Sequence, residues 1–114
     1  MSAVVIATYK VKPENLNEFI LLIREKRNYF LQQAYVTKRP ALLLQSKIEE
    51  DYFIEIFEWK TELASLNAHK DEKVIAFWIK MGDLWDDGGF GIDKIPEANL
   101  SFPHFEPLDI YYED

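Results

Sequence analysis

The chain has 114 residues, enough for one domain (residues 1–114) and too few for two. It contains no cysteine, which excludes a disulfide framework, thiolate metal sites and cysteine nucleophiles. Its 20 acidic and 13 basic residues leave a formal charge of -7, a surface that phosphate backbones and anionic membranes repel on average.

No apolar run approaches bilayer length, and no basic segment leads into a hydrophobic one at the start. The expectation is a soluble, cytoplasmic protein with neither a nucleic-acid nor a membrane partner. Aromatic residues make up 15% of the chain, with eight Phe, six Tyr and three Trp. Such rings dominate cores and subunit interfaces, and they also line pockets for flat ligands.

Val4 to Lys12 reads as a strand, apolar on both faces in its first half, as for a strand covered on two sides. Pro13 opens a helix, where its missing N–H costs nothing, and Glu14 suits the positive end of the helix dipole. Leu16, Phe19, Ile20, Ile23, Phe30, Leu31 and Ala34 keep helical spacing, with Arg24, Glu25 and Lys26 placed on the solvent side.

Ala41 to Ile48 is the second predicted strand, and Glu49, Glu50 and Asp51 form a hairpin tip. Tyr52 to Trp59 is the third. It carries Phe53, Glu55, Phe57 and Trp59 on one face and Tyr52, Ile54, Ile56 and Glu58 on the other. Thr61 can cap a helix bearing Leu63 and Leu66. Asp71 can cap the next, in which Val74, Phe77, Trp78, Met81 and Trp85 share helical spacing.

Gly88, Gly89 and Gly91 end that helix in a turn; without a following Lys-Ser/Thr they are no phosphate loop. Leu100 to Tyr112 is the last predicted strand, confined to an edge by Pro103 and Pro107. The order βαββαβ predicts an α+β, ferredoxin-like antiparallel sheet with helices on one face. Helices cover one side only, so the apolar back of the sheet calls for a second copy, and a twofold homodimer follows.

On this layout the chain resembles the antibiotic biosynthesis monooxygenase domain family of the dimeric α+β barrel superfamily. The resemblance lies in Tyr9-Lys10-Val11-Lys12-Pro13 at the first strand-to-helix junction and in Phe53 to Trp59 along the third strand. Ala68-His69, Val74 and Trp78 follow, so that it spans about Val4 to Trp85. It implies the same fold and a dimer whose C-terminal strand often reaches the partner.

It also implies cofactor-free oxygenation of polyphenolic or quinol substrates, or haem degradation in another branch. The haem-degrading branch uses an Asn, a Trp and a His where this sequence has Ala7 or Thr8, Ala68-His69 and Phe77-Trp78. None of the three matches, and no haem binding is expected.

His69 is the candidate general base or acid, since imidazole titrates near neutrality, although Asn67, Lys70 and Asp71 equally suit a solvated helix end. Glu55, among Phe53, Phe57 and Trp59, is the candidate carboxylate base; an interfacial ion pair is its other reading. Tyr9, Trp59 and Trp78 are the candidate walls for a planar substrate, or else core. His104 reads as a surface residue.

Two histidines without cysteine do not make a zinc site, and no glycine fingerprint for NAD or flavin is present. No cofactor and no metal are therefore expected. Two functions follow from this reading. One is a cofactor-independent monooxygenase acting on a small planar aromatic or quinol held between sheet and helices. The other is a non-enzymatic dimer that binds a small hydrophobic ligand or serves as an interaction module.

Overall fold

The computed structural model describes residues 2–110. Strand β1 (Ala3–Val11) alternates as its sequence requires. Val5, Ala7, Tyr9 and Val11 turn to the helices, while Val4, Ile6 and Thr8 turn to the back. Pro13 starts a short 3-10 turn that leads into α1 (Leu16–Gln32). This helix stops where Ala34 takes a left-handed conformation, φ 57°, a common way for a helix to end.

Strands β2 (Leu42–Ser46) and β3 (Tyr52–Trp59) form the hairpin around the acidic tip, closed by the Tyr52 N–H donating to the Glu49 carbonyl. Thr61 caps α2 (Glu62–Lys70) by accepting from the Ala64 N–H at 3.0 Å. Asp71 caps α3 (Glu72–Gly82) by accepting from the Lys73 N–H at 2.9 Å.

Trp85 is not part of that helix. It begins β4 (Trp85–Gly88), which pairs with β1 opposite Tyr9, Lys10 and Val11. The helix stops at Gly82, and Trp85 instead lays its ring 5.2 Å from that of Tyr9. The closing strand of the βαββαβ unit is therefore β4, not the segment from Leu100. A fifth strand, β5 (Phe105–Leu108), adds itself to the free edge of β2. Pro107 sits there opposite Leu44, where its missing donor is tolerated because no strand of the described residues lies beyond. Tyr111 and Tyr112 of the predicted strand lie outside the described residues.

The sheet is antiparallel throughout, in the order β4-β1-β3-β2-β5. Its first four strands have the ferredoxin-like arrangement. The helices pack on the face bearing Phe53, Phe57 and Trp59, with Phe19, Ile23, Val74 and Met81 fully enclosed. Leu63 and Leu66 of α2 stay exposed, so this helix anchors through Ala68. No helix of the described residues is long and apolar enough to cross a membrane.

Among the described residues, no α-helix covers the back of the sheet. The segment 92–105, with 3-10 turns at Ile92–Lys94 and Pro96–Asn99, crosses part of it and shields Ile54. Val4, Ile6 and Leu42 remain about half exposed, at 59%, 51% and 48%.

Candidate functional site

On the helix side, β1 and β3 hold Ala7 opposite Glu55 and Tyr9 opposite Phe53, which puts the phenol one step from the carboxylate. The Tyr9 hydroxyl donates to Glu55 Oε1 at 2.8 Å. Lys26 Nζ donates to the same oxygen, also at 2.8 Å. All three side chains are buried, and the ammonium lies 5.2 Å and 5.5 Å from the ring centres of Phe57 and Phe30.

Burial raises the Tyr9 pKa well above the usual phenol range, and the Glu55 charge and hydrogen bond add to the rise. Tyr9 is thus a neutral donor clamped against Phe19 and Trp85 and part of the core.

Lys26 contradicts its expected place on the solvent face. It follows Phe19 by seven residues, Leu22 by four and Ile23 by three, so it falls on the apolar stripe of α1. That spacing was the available signal; the charge of the residue concealed it. A buried lysine on such a stripe requires an acidic partner, and Glu55 is the carboxylate on the facing strand.

His69, Trp59 and Trp78 also come together. The imidazole lies 4.9 Å from the Trp78 ring and 6.2 Å from the Trp59 ring. It is exposed on α2, and Nδ1 lies 2.7 Å from the Ser65 carbonyl, to which it donates when protonated. Trp59 is core, packed on Phe30 and Phe57, while Trp78 is half-buried against the same cluster. The two groups thus share Phe30 and Phe57, yet Glu55 is enclosed and His69 faces solvent. His104 is exposed, as its sequence setting suggested.

A third cluster was not foreseen. The hydroxyls of Tyr29 and Tyr35 both donate to Asp71 Oδ2 at 2.7 Å. The bond to Asp71 pushes the Tyr29 pKa up to about 12, and it holds the Asp71 carboxyl below its ordinary range. This cluster ties α1, the following loop and the start of α3 together.

An apolar cleft lies on the back of the sheet, not between sheet and helices. It encloses about 520 Å³ between Ile6, Leu44, Ile54 and Ile56 of the strands and Ile95 and Phe105 of the crossing segment. Glu97, 1% exposed, also lines it. Glu97 Oε2 accepts from the Ser46 hydroxyl and the Lys47 N–H, each at 2.9 Å. A second cleft of about 680 Å³ lies beyond the end of α1, between Leu31, Val36 and Pro40, with Arg27, Lys38 and Lys60 at its rim.

No family model and no curated protein matches the sequence. Solved structures do match its fold. A conserved protein from Methanosarcina mazei Go1 superposes with a TM-score of 0.66 at 18% identity, covering 76% of this chain and 84% of its own. A protein of Nitrosomonas europaea, provisionally named an antibiotic biosynthesis monooxygenase, gives 0.63 at 14% identity over 82% and 92%. A NIPSNAP family protein from Agrobacterium tumefaciens gives 0.57 at 14% identity over 84% and 98%. The strand order, the helices on one face and these superpositions agree: the chain has a ferredoxin-like α+β fold, similar to that of the Nitrosomonas protein.

Proposed function

We propose that this protein is a homodimeric binding domain that holds a small hydrophobic molecule in the cleft on the back of its sheet. The observation that carries this reading is the position of the open apolar space. The helix side is packed with enclosed side chains, whereas the back offers about 520 Å³, within the range of roughly 300–1,000 Å³ usual for small-molecule sites. A second copy resting on Val4, Ile6 and Leu42 would roof that space and exclude water from it.

The test is titration with the neutral dye Nile red, whose emission rises in apolar surroundings. Saturable binding is expected, together with at least a tenfold loss in Leu44→Trp, which fills the cleft. Equal binding by that variant places the dye elsewhere and defeats the reading.

A second reading is a cofactor-independent monooxygenase acting on a planar aromatic or quinol. The juxtaposition of Trp59, His69 and Trp78 beside the enclosed Glu55 favours it, with His69 or Glu55 as base and Tyr9, Trp59 and Trp78 as walls. The provisional name of the Nitrosomonas protein adds support from outside this chain. Such a reaction would require the aromatic core to open around Glu55, or the substrate to sit on the surface at His69. Oxygen uptake with hydroquinone decides it: turnover by the wild type that disappears in His69→Ala or Glu55→Gln favours the oxygenase.

A further inference from the structure

The back-face cleft is not uniformly apolar, and its one buried charge is incompletely satisfied. Glu97 uses only Oε2, toward Ser46 and Lys47. Its other oxygen, Oε1, is buried and accepts no hydrogen bond from any described residue. A buried carboxylate oxygen without a donor is uncommon, because leaving it unpaired forfeits the hydration it had in the unfolded chain.

The local charge points one way. Asp93 lines the same cleft, and no lysine or arginine does. Lys47 directs its ammonium toward Glu106, 4.0 Å away, and Lys94 lines a different cleft beside Lys10 and Tyr52. The net charge of -7 draws cations toward the molecule as a whole.

We propose that the ligand of this cleft is an amphiphilic amine. Its ammonium pairs with the carboxylate of Glu97, whose Oε1 lacks a donor, and its hydrocarbon part lies among Ile6, Leu44, Ile54 and Phe105. This rests on the binding-domain reading above and adds the chemical class of the ligand. A charged donor meeting a carboxylate in a water-poor cleft makes a stronger bond than a neutral one. A fatty carboxylate would meet two like charges, and an alcohol would form only a neutral-donor bond.

The experiment compares n-octylamine, 1-octanol and octanoate, titrated into protein labelled at its isoleucine methyls and followed by NMR and calorimetry. The expected result is movement of the Ile6, Ile54 and Ile56 signals, with octylamine at least tenfold tighter than octanol and octanoate weakest. Glu97→Gln should bring octylamine to the level of octanol while leaving octanol unchanged.

Equal affinity for octylamine and octanol, tighter octanoate, or an unaltered amine affinity in Glu97→Gln overturns the amine assignment and leaves the cleft standing. No movement at those methyls with any of the three probes overturns the cleft itself. Should Glu97→Gln fail to fold, the ranking of the three probes on the wild type still decides.

Discussion

Removing a lysine and a glutamate from water together costs several kcal/mol for each ion, and good geometry between them returns much of it. The Lys26–Glu55 pair, joined by the Tyr9 hydroxyl, meets that condition. Removing one member leaves a buried charge with no counter-ion, so Lys26→Met should lose about 3–5 kcal/mol in urea unfolding. The double variant Lys26→Met/Glu55→Leu should recover most of that loss, since two apolar side chains are content in the same space. A double variant as unstable as the sum of its singles would show no coupling between the two side chains and would remove the pair as an energetic unit. The result also bears on Glu55 as a base, because a carboxylate needed mainly for lysine burial is replaceable without loss of folding.

At the scale of elements, Asp71 deserves its place as the junction of three of them. It caps α3 through the Lys73 N–H and receives hydroxyls from α1 and from the loop after it. Asp71→Ala should cost about 2 kcal/mol, from a lost cap and two orphaned phenols, read as a lower urea midpoint. The tyrosine bonds lower the folded-state pKa of Asp71, with Tyr29 the largest cause. Its contribution is therefore complete above the ordinary carboxyl value of 3.8 and fades as pH falls through the lower folded value. The stability gap between wild type and Asp71→Asn should be constant from neutral pH down to about pH 5 and narrow below pH 4.

The short strand β4 depends on a glycine in a similar way. A Cβ at Gly88 would run into the Trp85 ring, which is itself held by Tyr9. Gly88→Ala should destabilise by about 1–3 kcal/mol and alter near-ultraviolet tryptophan circular dichroism. An unchanged spectrum would mean that the ring has room to move.

For the whole molecule, the question is what covers the back of the sheet. Stable interfaces bury roughly 800 Å² on each partner, and the exposed side chains of β1 and β2 supply an apolar centre for one. Light scattering should give about twice the 13.5 kDa chain mass at micromolar concentration. Val4→Asp/Leu42→Asp, both outside the cleft lining, should return it to the single-chain mass while keeping the fold. A wild type that is already a single chain would remove the dimer.

The alternation of strands, the proline and glycine punctuation and the apolar stripe of α1 are local, so the α+β order and the helix-covered face were legible in the sequence. Tyr9, Glu55, Trp59, His69 and Trp78 were legible as candidates for the same reason: aromatic and titratable residues stand out by type. Whether they meet open space was not, because that depends on which side chains from distant elements fill the gap. Lys26 filled it at Glu55, although its position on the stripe was readable and only its charge misled. Trp85 left its helical register because β1 offered it a strand partner and an aromatic neighbour more than seventy residues away in sequence. The cleft and Glu97 depend wholly on tertiary structure. They arise from the segment 92–105 folding across the sheet, and no local pattern within that segment records which face it will cover.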